Sequence, residues 1–226
     1  MSQLTNLRPS SISKKQIVAA TGLMLNLFVV GHLAGNLFIF GGPEAFNGYA
    51  KKLAGLRPGL YIIEFGLAWI FIVHLHTTVL LVLENIKARG TPYSATKDVG
   101  NRSVATKLMP YTGSVIFAFV LWHLLDFTFI DHHGPRSILA DGQSYGLFGV
   151  VYNSFQDPVH SLLYILAMLA VGLHLSHGIQ SFFQTYGFSH PTYTPLIKKF
   201  SETVAFVIAA AYISIPVAVM NCVIRI

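Results

Sequence analysis

The sequence predicts an all-α, polytopic membrane protein: five transmembrane helices in one bundle, with the N-terminus in the cytoplasm. Three observations carry this. Apolar types make up 53% of the 226 residues and Asp, Glu, Lys and Arg only 11%, where a soluble domain carries about 25% charged residues. Five long stretches are nearly free of charge. The basic residues gather in alternate connections. A mean hydropathy of +0.58 also excludes disorder, which needs low hydrophobicity and high net charge.

The stretches follow in order. Ile17–Phe40 has no Asp, Glu, Lys or Arg, Gly59–Leu83 has only Glu64, Leu108–Ile130 has only Asp126, and Val159–Tyr186 and Thr203–Ile224 have none. Each exceeds the roughly 20 residues that cross about 30 Å of hydrocarbon, where only self-satisfied backbone survives. A single membrane domain follows, with helices at about residues 15–40, 58–88, 107–131, 157–187 and 201–225. Arg57-Pro58, Met109-Pro110 and Asp157-Pro158 mark helix starts, Asp157 as an N-cap. Pro216 falls inside the last span, where it should kink the helix. The first span is too long for a signal peptide, is interrupted by Asn26, His32 and Asn36, and lacks an A-x-A-like site.

Orientation comes from the basic residues. Arg8, Lys14, Lys15, Lys87, Arg89, Lys97, Arg102, Lys107, Lys198 and Lys199 lie on the N-terminal side, against Lys51, Lys52, Arg57, Arg136 and Arg225 on the other. That places the N-terminus inside and the C-terminus outside. The net charge of +6 is then orientation signal and not a nucleic-acid footprint. A single cysteine, Cys222, excludes a disulfide framework, a Cys-based zinc site, a Cys-ligated iron–sulfur cluster and covalent haem attachment.

Seven of the ten histidines (His32, His74, His76, His123, His160, His174 and His177) lie in predicted spans, with His132, His133 and His190 in connections. Ionisable groups at membrane depth are expensive and point to function. Depth sorts them. His32 lies 18 residues past Lys14 and His123 16 past Lys107, about 27 and 24 Å from the inner edge. His74 lies 13 residues before Lys87 and His174 12 before Tyr186, about 20 and 18 Å. An outer pair, His32/His123, and an inner pair, His74/His174, result. Two imidazoles facing each other at one level are what a six-coordinate b-type haem requires. His76, about 200° around the helix from His74, cannot share its face. A level His76/His177 pair remains an alternative, with a supporting role for His177 beside a propionate or loop the other use. Gly31 and Gly35 flank His32 at a spacing that admits a neighbouring helix or a flat ring. Gly172 and Gly178 flank His174.

The segments GLMLNLFVVGHLAGNLFIF, EAFNGYA, FGLAWIFIVHLHTTVLLVLENIKARG, VIFAFVLWHLLDF and LAVGLHLSHGIQSFFQTYGFSHPTYTPLIKK together resemble one family over nearly the whole chain. It is the di-haem cytochrome b membrane anchor of succinate:quinone oxidoreductases, the succinate dehydrogenase and quinol:fumarate reductase group, in its single five-helix form. The H-x-x-x-G from His174 to Gly178 is the most specific match, and the resemblance puts the ligand at His174 and not His177. It implies two stacked haem b groups, ligated by His32 with His123 and by His74 with His174. It implies a flavoprotein subunit with FAD and an iron–sulfur subunit on the cytoplasmic face, the dicarboxylate site on a partner, and a membrane quinone, usually menaquinone. It also implies a bacterial cytoplasmic membrane, contact with lipid, and a place in a complex that can form higher oligomers. Some members carry an acidic residue near the outer haem for quinol chemistry. Its position is not preserved here, and Glu64 and Asp126, both towards the outer face, are the candidates. An acidic residue before the inner ligand in some members is replaced here by apolar and small residues around Gly172.

Two other functions compete. A hydrogenase- or formate dehydrogenase-type cytochrome b anchor shares the histidine logic but not GLHLSHGIQSFFQTYG. A proton-coupled transporter relaying through the histidines and Glu64 needs no porphyrin and predicts a colourless protein.

Overall fold

The computed structural model describes residues 10–88 and 104–224. Among these residues seven α-helices run in chain order: α1 Ser11–Asn36, α2 Gly42–Ala54, α3 Gly59–Ala88, α4 Val104–Phe127, α5 Gly146–Gln156, α6 Pro158–Thr185 and α7 Thr194–Met220. The described residues hold no strand, only an isolated bridge between Ile138 and Ser144. Five helical segments are long and apolar enough to cross a membrane, containing α1, α3, α4, α6 and α7. Arg8, Arg89, Lys97, Arg102 and Arg225 of the orientation argument lie outside the described residues.

Local chemistry sets the helix ends. Ser10 caps α1 by accepting from the Ser13 amide at 3.2 Å. Asp157 caps α6 by accepting from the Val159 amide at 2.9 Å, as its place before Pro158 predicts. The Met109-Pro110 boundary is corrected: α4 begins at Val104 and Pro110 sits inside its first turns. As the seventh residue of α4, Pro110 lies beyond the first four residues whose amides need no helical acceptor, so it removes one i→i−4 bond from the second turn. Pro216 lies within α7.

The spanning helices alternate in direction. α1 packs on α3, α4 on α6, and α6 on both α1 and α7. The α6–α7 contact is made by small residues: a Cβ on Gly172 would stand 3.0 Å from the Ala209 methyl. Close backbone approach is how helices associate where lipid removes the hydrophobic drive. The lipid-facing sides stay apolar and open, as at Ile62, 77% exposed, and Phe65, 75% exposed, on α3. Water would not tolerate a surface of this kind.

The two shorter helices, α2 and α5, form a lid on the face away from the N-terminus. Gly42, at φ +83°, turns the chain from a 3-10 segment into α2. Asn47 of α2 then grips α5, donating to the Tyr145 carbonyl at 2.8 Å and accepting from the Phe148 amide at 3.0 Å. Ile39, Phe46, Phe148 and Val219 close the apolar cluster beneath it. Gly149 is fixed by contact: a Cβ there would lie 2.2 Å from the Ser137 carbonyl oxygen.

Candidate cofactor and proton site

The histidines occupy two zones. In the outer zone, α1 presents His32 and α4 presents His123, with ring centres 5.8 Å apart and planes at 85°. Imidazole–metal bonds are about 2 Å long and the ring centre lies about 1 Å farther, so axial ligands on one ion stand about 6 Å apart. The pair therefore fits a group that takes two axial nitrogens. Aromatic rings wall it in: Phe28 stacks on His32 at 5.4 Å, and Phe119 on His123 at 5.6 Å. Tyr212 reaches His32 from α7 and anchors its own hydroxyl on the Val29 carbonyl at 2.8 Å. His123 Nδ1 is buried without a protein partner, a state that proteins rarely leave uncompensated.

In the inner zone, His74 of α3 turns toward α1 and His174 of α6 toward α4. His74 Nδ1 lies 3.0 Å from Thr21 Oγ1, and His174 Nδ1 3.2 Å from Thr112 Oγ1. A Cβ on Gly22 would stand 3.2 Å from the His74 ring, and one on Gly113 3.5 Å from the His174 ring. His177 pairs with Thr106 at 3.0 Å. It lines a groove of about 560 Å³ between α4, α6 and α7, away from α3. His76 is exposed on the far side of α3. The level His76/His177 alternative therefore has its members on different sides of the bundle.

The flanking glycines divide. Gly35 is a packing position, since a Cβ would fall 2.7 Å from the Tyr49 ring of α2, while Gly31 has nothing within 4 Å. Gly178 likewise borders open space, and Gly172 belongs to the α7 contact.

The two candidate carboxylates differ sharply in environment. Glu64 is half-exposed at the start of α3, 3.4 Å from a half-exposed Arg57. Asp126, only 8% exposed, sits one helical turn beyond His123. It accepts from the Tyr164 hydroxyl at 2.8 Å and faces Arg136 at 3.5 Å. His160 Nε2 is 3.3 Å away, without hydrogen-bond alignment. Arg136 also donates to Ser154, and its side chain is partly exposed. A buried carboxylate with these partners keeps its charge compensated. Tyr164 joins the two parts of the zone: its ring centre is 6.2 Å from that of His123 and its hydroxyl is on Asp126. Neither Tyr164, Arg136 nor the two threonines stands out in the sequence. The available signal was a Thr-Gly pair placed eleven residues before each outer histidine.

No protein-family profile and no solved structure matches the chain. A curated relative does: the succinate dehydrogenase cytochrome b558 subunit of Bacillus subtilis (strain 168), 27% identical over 191 residues, covering 83% of this chain and 84% of the relative. Five spanning helices and a relative aligned along most of both chains make this a multi-pass membrane protein. It is similar along most of its length to one succinate dehydrogenase cytochrome b subunit, of the family its histidine-bearing segments resemble.

Proposed function

We propose that this chain is the di-haem cytochrome b membrane anchor of a bacterial succinate:quinone oxidoreductase. It would sit in the cytoplasmic membrane with its N-terminus inside. There it would hold a flavoprotein and an iron–sulfur subunit and exchange electrons with a quinone, of the menaquinone class. The four-histidine arrangement carries this reading: an outer pair ring to ring, and an inner pair whose Nδ1 atoms are each taken by a threonine. Bound there, haem would supply one-electron transfer. His32 and His123 would hold the outer iron, and His74 and His174 the inner one. Phe28, Phe119 and Tyr212 keep water from the outer group. The dicarboxylate chemistry belongs to the flavoprotein partner.

Quinol oxidation releases protons as well as electrons, and a base beside the outer histidines is needed to take them. Asp126 fills that role better than Glu64, because it is buried, one turn from His123, and faces the partly exposed Arg136. The test of the whole reading is haem stoichiometry with a redox titration on the complex purified from membranes. Two b-type haems per chain, titrating as two components and co-purifying with flavin, are expected. A colourless complex would defeat it and favour a proton-coupled transporter, and a single haem would defeat the four-ligand assignment. Partners carrying a hydrogenase or formate dehydrogenase centre would favour the other anchor class.

A further inference from the structure

α1 and α4 carry the same element. Thr21-Gly22 precedes His32 by the spacing at which Thr112-Gly113 precedes His123, eleven residues from Thr to His in each case. Eleven residues are about three helical turns and about 16 Å of rise, so Thr and His share a face at two depths. Each of these helices packs on a neighbour that supplies an inner histidine: α3 with His74 against α1, and α6 with His174 against α4. Each helix thus presents an outer ligand at one level and, three turns away, a hydroxyl to the neighbour's inner ligand.

The hydroxyl proton is already engaged on both helices. Thr21 Oγ1 donates to the Ile17 carbonyl at 2.7 Å, and Thr112 Oγ1 to the Leu108 carbonyl at 3.1 Å. A hydroxyl has one proton to give. An oxygen that gives its proton to the carbonyl accepts from the histidine, an arrangement in which Nδ1 carries the hydrogen and Nε2 presents a bare lone pair. The glycine beside each threonine admits the imidazole edge. Partners on the far nitrogen commonly set a ligating histidine's tautomer and strengthen its donation to the metal.

We propose that Thr21 and Thr112, in a Thr-Gly-x9-His element duplicated on α1 and α4, are positioning residues that hold His74 and His174 with Nε2 bare for one shared inner haem. This rests on the anchor reading above. It adds that two residues on different helices, each sharing its helix with an outer ligand, govern only the inner centre.

The test is a redox titration of the haem α-band in the intact complex bearing Thr21→Val or Thr112→Val, with Thr→Ser at each position as the conservative control. Valine keeps the shape and removes the acceptor, which weakens imidazole donation and disfavours ferric iron. Either valine variant should raise the midpoint of the same, inner component. The expected change is about threefold to tenfold in the ferrous:ferric ratio at fixed potential, the upper end being about 59 mV for one electron; loss of a single hydrogen bond is of this size. Serine should restore the wild-type value. Unchanged midpoints, a shift in the outer component, or two variants moving different components would each overturn the proposal. Should a valine variant lose the inner haem altogether, the serine variant decides: an intact inner haem supports the assignment, and an altered one overturns it. A wild-type complex lacking two haems would instead refute the anchor reading. Two wild-type components left in place by both valines would refute this inference alone.

Discussion

Asp126→Asn separates a proton role from a structural one. Asparagine keeps the shape and an oxygen able to accept from Tyr164, so that 2.8 Å bond survives. What disappears is the charge facing Arg136 at 3.5 Å. Breaking a fully buried ion pair costs about 3–5 kcal/mol. Here the Arg136 side chain is 38% exposed and keeps Ser154 as a partner, which brings the cost down to about 1 kcal/mol. For a chain of this size that is a fall in Tm of about 2–4 °C. Turnover should respond differently, because an amide cannot take a proton. Quinol-linked electron transfer in the purified complex should fall by about 100-fold or more, the size of a lost acid–base group, with both haem components still present. Tyr164→Phe gives the complementary pattern. It removes the hydrogen bond to a buried carboxylate, costing about 1–3 kcal/mol, and so destabilises more than Asp126→Asn while leaving a titratable acid in place. Quinol turnover of the Asp126→Asn complex within twofold of wild type would refute the proton assignment. An unchanged Tm in Tyr164→Phe would refute the structural account of the network.

Three further outcomes are expected. His32→Ala and His123→Ala should remove the same spectral component, and His74→Ala and His174→Ala the other, in reduced-minus-oxidised spectra; a shared loss in His32→Ala and His74→Ala would break the pairing. Gly149→Ala drives a Cβ into the Ser137 carbonyl at 2.2 Å, so it should destabilise the lid by at least about 1–3 kcal/mol, read as a lower Tm, and a wild-type Tm would contradict the contact. Outside the membrane, the Tyr145 hydroxyl and the Gln143 amide hold the Asp141 carboxyl below its ordinary value, while the same bond holds the Tyr145 phenol above its own. A lowered carboxyl favours the fold above its unfolded pKa, near 4, and that contribution fades as pH falls through the folded value. The raised phenol favours the fold below its unfolded pKa, near 10, and its share is lost as pH rises past that. Asp141→Asn should flatten the acid limb of the Tm–pH curve, and an unaltered limb would argue against the bond.

The sequence by itself determined the number of spans and the matching level of His32 and His123 along their helices. Both follow from quantities that run along the chain: hydropathy, and a helical rise that every residue contributes equally. That is why counting from Lys14 and Lys107 brought His32 and His123 to one level, and their rings stand 5.8 Å apart in the fold. Rotation about a helix axis is another matter. His74 and His76 are two residues apart, and only packing against Thr21 and Gly22 turns the first inward and leaves the second outside. Glu64 and Asp126 looked alike in sequence, each a lone carboxylate toward the outer end of an apolar stretch. The tertiary structure gave one a half-exposed arginine and the other a buried tyrosine. The lid was also illegible, because α5 reads as a short apolar connection until Asn47, ninety-nine positions before Gly146, caps it. Pattern along a chain records what each residue prefers as solvent. Which partner it meets is decided by neighbours that are distant in sequence, and the Asp126–Tyr164–Arg136 network and the threonine-held histidines both consist of such meetings.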